Sequence, residues 1–255
     1  MFKWFQRLFF TKKGSVPLGV ELSYSKVKSY LECPWLYRTL YVEMKRRAPT
    51  APSSLGLSIH RALEAYHADN SGTLDRLLEC YNDHWVHVGF SSPQEQMIYF
   101  EKGRKMLEQY WNMDQSRKTK IVFVEKEFIF PLDPFVVRGI IDRVDLNPEG
   151  QYEVIDYKTQ QELLSEEELS RDLQLGLYGM ALKQAFQLSP SFLSLFFLAH
   201  GKVVSIPYNP SGESSLREKL LEVGLKISRE EFPPRTSHCV RCEFRQTCQY
   251  STERG

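Results

Sequence analysis

A chain of 255 residues, 42% hydrophobic and 25% charged, has the balance of an ordinary globular protein and enough length to bury a core. With 33 Lys and Arg against 32 Asp and Glu, a net charge of +1, it exerts no overall attraction on a polyanion, so any such binding must rest on local positive charge. No window approaches the roughly 20 uninterrupted apolar residues of a membrane span, and five cysteines in so long a chain do not describe a secreted disulfide scaffold, which leads to the expectation of a soluble, cytoplasmic protein without a cleaved leader.

In chain order, residues 1–20 form an aromatic and basic segment, with Trp4, Phe5, Leu8, Phe9, Phe10, Lys12 and Lys13. A short amphipathic helix folded back on the body, or a loose terminus, is expected there, with surface docking as the alternative. Residues 21–118 read as helical. Ser23 or Ser25 can cap a segment through Tyr30, Pro49 and Pro52 mark a loop, and Leu57–Tyr66, Ser71–Trp85 and Gln94–Trp111 repeat apolar residues at helical spacing.

The texture changes at Lys120. Three β-rich runs follow, Ile121–Phe130, Phe135–Leu146 and Tyr152–Lys158, separated by Pro131–Pro134 and by the stronger hairpin signal Asn147-Pro148-Glu149-Gly150. Ser165 and Glu168 form a capping box that opens a helix to about Phe186. Two more strands, Phe192–Ala199 and Val203–Tyr208, flank His200-Gly201, and a last helix covers Ser214–Arg229 before a cysteine-rich tail over 233–255. This order predicts an α/β core over 119–232, with one central mixed β-sheet flanked by helices.

The strand period of two puts Val154, Asp156 and Lys158 on one face and Ile155 and Tyr157 on the other. A carboxylate and an ammonium ending an apolar strand must be paired, metal-bound or turned to a cleft. The preceding strand places Asp142 inside an apolar run, and the short turn would pair the two strands, so Asp142 and Asp156 can converge. Hard oxygen ligands of this kind suit Mg2+ or Mn2+. Asp145 is expected on the other side, paired with Arg143 or another Arg. Gln174 and Tyr178, four apart, share one helix face.

Taken together, Gly56-x-x-x-His60-x-x-Leu63-Glu64, Gly139-x-x-Asp142-Arg143-x-Asp145, Asp156-x-Lys158 and Gln174-x-x-x-Tyr178 resemble the successive motifs of the RecB-like branch of the PD-(D/E)xK nuclease superfamily. The similarity extends through Cys33-Pro34 and the C-terminal cysteines to nearly everything after residue 20. It implies a restriction-endonuclease-like core with Asp142, Asp156 and the backbone carbonyl of Tyr157 as metal ligands and His60 completing the site or binding a second ion. Lys158 would orient or activate the attacking water, with Gln174 and Tyr178 gripping nucleic acid or steering Lys158. The one departure, Asp156 where many members carry Glu, keeps the ligand oxygen.

Cys239, Cys242 and Cys248 form C-x2-C-x5-C, three ligands where a tetrahedral metal or an iron–sulfur cluster wants four. The resemblance to cluster-bearing members, which include CRISPR-adaptation nucleases and AddAB-type nuclease domains, implies that Cys33 is the fourth. It also implies that the tail packs with the Cys33 region around a [4Fe-4S] cluster, with Zn2+ as the alternative. Cys80 reads as a small buried apolar residue. Basic runs at Lys45-Arg46-Arg47, Arg104-Lys105 and Arg117–Lys120 could line a groove for DNA, and Trp35, Tyr37, Tyr41 and Trp111 could stack bases. The expected activity is metal-dependent DNA hydrolysis, as an exonuclease on single-stranded DNA or DNA ends. The alternative is a DNA-end-binding or assembly subunit of a repair or CRISPR-adaptation complex.

Overall fold

The computed structural model describes residues 20–69 and 72–253; the segment Met1–Phe10, for which a helix or loose terminus is expected, lies outside them. Helix α1 (Tyr24–Glu32) is capped by Ser23, whose side chain accepts from the Lys26 amide, and α2 (Pro34–Tyr37) passes into a π-helical turn over Arg38–Val42. Helix α3 (Ala51–Asp69) begins inside the expected loop. Pro52 is tolerated there because the first turn has no intrahelical acceptor for its missing N–H, and Thr50 Oγ1 accepts from the Ser53 amide at 3.3 Å. Helices α4 (Leu74–Asp83) and α5 (Pro93–Ser116) follow.

The strands are β1 (Glu21–Leu22), β2 (Lys120–Leu132), β3 (Phe135–Leu146), β4 (Tyr152–Lys158), β5 (Pro190–Phe197) and β6 (Lys202–Pro207), and α8 spans Pro210–Ser228. The helix expected over 165–186 is two. Ser165 and Glu168 do close a capping box on α6 (Glu166–Ser170), but the chain leaves the helix at Arg171, and Asp172 caps α7 (Leu173–Phe186) by accepting from the Leu175 amide at 2.8 Å. A short carboxylate one turn in competes for backbone amides and restarts the helix.

The chain forms two compact units. Among the described residues, the first contains 20–46, Ile129–Gly139 and 214–253; the second contains Arg47–Phe128 and Ile140–Glu213. In the first, β1 pairs in parallel with the start of β3, Leu22 opposite Val137. Phe135 lies against Gly224 of α8 so closely that a Cβ there would meet its ring at 2.5 Å.

The second unit carries a mixed sheet. β3 and β4 are antiparallel, β4 and β5 parallel, and β5 and β6 antiparallel. One face is covered by α3, α4 and α5, whose Ile59, Leu63, Tyr81, Leu107 and Tyr110 share a core with Ile155, Tyr157 and Phe196. Against the other lies α7, where Gly179 approaches Leu193 of β5. Among the described residues, no helix is long and apolar enough to cross a membrane.

Gly103 sets how closely α5 packs. A Cβ there would lie 2.0 Å from the Tyr81 hydroxyl and 2.7 Å from Leu55 Cδ1, and Tyr81 is a rigid ring only 1% exposed. Gly103→Ala gains about 1 kcal/mol of helix propensity and overpacks this contact at about 1–3 kcal/mol. A net loss of stability is expected in urea denaturation, and a raised midpoint would show that the helices can separate freely.

Candidate functional site

The site is built where the β3–β4 hairpin stops pairing. The ladder runs from Leu146–Tyr152 at the turn to Arg143–Ile155, and one further step of the same register sets Asp142 opposite Asp156. Asp142 Oδ2 there accepts the Tyr157 amide at 2.9 Å, taking the place of a ladder carbonyl. Because the amide and carbonyl of a strand residue point to the same edge, the Tyr157 carbonyl lies on the Asp142 side. Both acids are buried, at 4% and 1% exposure, and two carboxylates facing each other across strands repel. Burial first, and then the Asp142 charge, raise the pKa of Asp156; burial and Glu125 raise that of Asp142, opposed by His60 and Lys158.

His60, on α3, brings Nδ1 to 3.1 Å from Glu125 Oε1 and 3.6 Å from Asp142 Oδ2. Burial alone would depress its pKa, but the Glu125 hydrogen bond and the charges of Asp142, Glu125 and Asp156 outweigh it and lift the imidazole to about 9. A proton is therefore held among oxygens where a cation would sit. One donor atom from each of His60, Glu125 and Asp142 lies within 4.8 Å of the others, a set able to hold a metal ion; Asp156 stands beside this trio.

Glu125 escapes a reading of the sequence. It sits in β2 among Val124, Lys126 and Glu127, where charged neighbours hide a single functional acid. Its backbone has φ +42°, a left-handed conformation that non-glycine residues adopt only where the surroundings enforce it, and one that re-aims the side chain. The available signal was the first acid after four apolar residues, Ile121–Val124.

Lys158 Nζ lies 2.5 Å from Asp156 Oδ2 and donates to Gln174 Oε1 at 2.8 Å. Gln174 Nε2 in turn donates to the Tyr178 hydroxyl at 2.8 Å. The shared face of α7 thus delivers Gln174 directly to the lysine, and this chain fixes the amide orientation because the ammonium requires the oxygen. Burial and the charges of Asp142 and Asp156 push the Tyr178 hydroxyl well above its ordinary value, so it stays protonated.

On the opposite face of the hairpin, Arg143 Nε donates to Asp145 at 2.6 Å, and its Nη1 reaches the Tyr110 hydroxyl and Asp114, each at 2.7 Å. Tyr110 also meets the Tyr157 hydroxyl at 3.2 Å. Arg117, expected to line a groove, is drawn into this network through Asp145 at 3.2 Å and Glu153 at 2.5 Å: a buried carboxylate needs a counter-charge more than the surface needs a cation. Arg104 pairs with Glu108 on α5. Among the aromatics considered for stacking, Tyr37 is buried, and Trp111 donates to the Gly72 carbonyl.

In the first unit, Cys33, Cys239, Cys242 and Cys248 all line one cavity. Cys33 Sγ accepts from the Arg235 amide at 3.3 Å, while burial, and the nearby Glu243, Cys248 and Cys33, push up the Cys242 thiol against a backbone hydrogen bond from Phe244. Cys80 is apart and buried in the core of the second unit, as expected of a small apolar residue.

The sequence pattern of the PD-(D/E)XK nuclease superfamily matches residues 21–249. A protein of Eubacterium rectale provisionally described as an exonuclease has a similar structure, with a TM-score of 0.54, 11% identity, and coverage of 90% of this chain and 86% of that one; at that identity the likeness is one of fold. A second structure, of SSO0001, matches over 88% of this chain and 92% of its own at 14% identity and a TM-score of 0.37, too low to support an argument. No curated protein matches in sequence. With the superfamily pattern running from β1 to the cysteine tail over a mixed sheet flanked by helices, the chain belongs to the PD-(D/E)XK nuclease superfamily.

Proposed function

We propose that this member of the superfamily hydrolyses DNA phosphodiester bonds in a Mg2+- or Mn2+-dependent reaction, acting on single strands or free ends. The observation that carries the reading is the meeting of Asp142 and Asp156 at the open end of one hairpin, with His60 and Glu125 on one side and Lys158 on the other. The donor set, one imidazole and hard carboxylate oxygens, fits such a cation. Held by His60, Glu125 and Asp142 with Asp156 alongside, it would supply Lewis-acid stabilisation of the phosphate and lower the pKa of a water.

The chain's own groups do the rest. Gln174, braced by Tyr178, holds the Lys158 ammonium in position, so that it can donate to a phosphate oxygen as negative charge builds there. Asp142 is held by the Tyr157 amide, which keeps its oxygens aimed without reorganisation. The four thiols are read as holding a [4Fe-4S] cluster. Zn2+ held by the same four thiolates is the alternative. Closing a loop of roughly 200 residues would constrain the unfolded chain by several kcal/mol. Reduced thiols imply an intracellular setting, and partners in repair or CRISPR adaptation are compatible with this chemistry.

Asp156→Asn is expected to slow cleavage of labelled single-stranded DNA in Mg2+ or Mn2+ by at least about 100-fold, and undiminished cleavage would overturn the site. Binding without cleavage by the unaltered chain in both metals would favour an assembly role. The cation and protons compete for the same atoms: His60 holds its proton up to about 9, and Asp142 and Asp156 are raised as well. Mn2+ affinity in calorimetry should therefore rise with pH, by about tenfold per unit for one displaced proton, with protons released on binding. An affinity that is flat between about pH 6 and 9 would remove His60 from the ligand set. Protein purified without oxygen should contain about four iron atoms per chain, lost in Cys33→Ser; one zinc per chain would replace the cluster reading.

A further inference from the structure

Adjoining the cysteine cavity, with which it shares Trp35, Thr39, Phe244 and Cys248, the first unit carries a second pocket of about 270 Å³ whose lining adds Arg38, Glu43 and Lys45. That is near the lower end of small-ligand sites, roughly 300 Å³. Arg38 stacks its guanidinium on Trp35, 4.4 Å from the ring centroid, and Tyr250 braces the same indole edge-on at 4.7 Å. One face of the guanidinium is thus covered by an aromatic ring, and the Arg38 side chain remains 38% exposed. Glu43 anchors the arrangement from the rim, 3.7 Å from Arg38 and 3.0 Å from Lys45.

The backbone beneath is specialised. Arg38 opens the π-helical turn, the Glu43 amide donates to the Arg38 carbonyl at 2.8 Å, and the Lys45 amide donates to the Thr39 carbonyl at 3.0 Å. Between them Met44 is held at φ +55° with 75% of its surface exposed, beside Val42 at 54%. π-turns and enforced left-handed residues recur at functional sites. A flat cation backed by an aromatic ring, a carboxylate and Lys45 in the lining, with the exposed Arg46 next in the chain, together match the parts of an unpaired nucleotide. The base can stack on the guanidinium plane, an N–H on its Watson–Crick edge can be accepted by Glu43, and its phosphates can be met by the two basic side chains.

We infer that the Trp35–Arg38–Lys45 pocket is a binding subsite for an unpaired nucleotide of single-stranded DNA, separate from the hydrolytic site. The inference rests on the nuclease reading only in naming DNA as the ligand. Its test measures anisotropy of a fluorescein-labelled oligothymidylate with the full-length Asp156→Asn chain, so that the strand stays intact, across a series of salt concentrations. Adding Arg38→Ala or Arg38→Lys should each weaken binding on the order of tenfold, since lysine keeps the charge and loses the plane. Lys45→Ala with Arg46→Ala should flatten the salt dependence by roughly 1.4 in log–log slope, about 0.7 per phosphate contact on a single strand.

In a chain with Asp156 intact, hydrolysis of bis(p-nitrophenyl) phosphate, which carries no nucleobase, should be unchanged by these substitutions, while KM for long single strands rises. Unchanged oligothymidylate binding in both Arg38 variants and in the double variant would overturn the subsite, as would a parallel loss of small-ester hydrolysis or of bound metal in all of them. Undiminished cleavage by Asp156→Asn alone would overturn the nuclease assignment and leave the binding comparison standing.

Discussion

Two carboxylates brought face to face in a dry place dominate the second unit. Asp142 and Asp156 lie one step beyond the last rung of a hairpin, buried, with like charge, and such a pair persists only if its surroundings over-determine it. The neighbouring elements are recruited to that end. The Tyr157 amide gives up a ladder bond to Asp142, α3 supplies a protonated imidazole, β2 is kinked to bring Glu125 to that imidazole, and α7 supplies the glutamine that steadies Lys158. Positive charge in the site comes from one proton on His60 and one ammonium, against three carboxylates, and the atoms of His60, Glu125 and Asp142 lie close enough together to hold a metal ion.

The reverse side of the hairpin has the opposite character. There two guanidinium groups bind three carboxylates: Arg143 is enclosed by Asp145, Asp114 and the hydroxyl of Tyr110, and Arg117 reaches Asp145 and Glu153. Burial would favour a neutral guanidinium, but Tyr157, Tyr110 and Asp145 outweigh it and hold Arg143 firmly protonated; burial would raise Asp145, but the Arg143 hydrogen bonds, with Thr119 and Arg117, hold it low. The two faces of one strand pair therefore divide the labour, one closed by direct hydrogen bonds between carboxylates and guanidinium groups, the other holding two carboxylates face to face. Removing one member of the satisfied set would strand a buried charge at about 3–5 kcal/mol, which makes that network the foundation on which the strained side rests.

Much of this was legible in the residues because it depends on short-range geometry. The period of two placed Asp156 with Lys158 and against Tyr157, the turn at Asn147 set the hairpin, and the i, i+4 spacing put Gln174 beside Tyr178. What escaped depends on contacts far apart in the chain or on backbone distortions. Glu125 needs a local reversal of φ that no alternation pattern encodes. Arg117 looked like a solvated cation because its partners, Asp145 and Glu153, come from strands further along. The break between α6 and α7 turns on whether Asp172 serves the helix before it or the one after, a competition of about 1 kcal/mol that propensity alone leaves open.

The first unit is assembled from three stretches of chain separated by the whole of the second. While the protein is being made, at roughly 5–20 residues per second, Cys33 emerges early and waits through some two hundred residues for Cys239, Cys242 and Cys248. The hydrolytic residues, all between His60 and Tyr178, are complete well before the thiols are. A chain stopped before Ser214 thus contains every residue of the proposed site, while the first unit still lacks its last stretch.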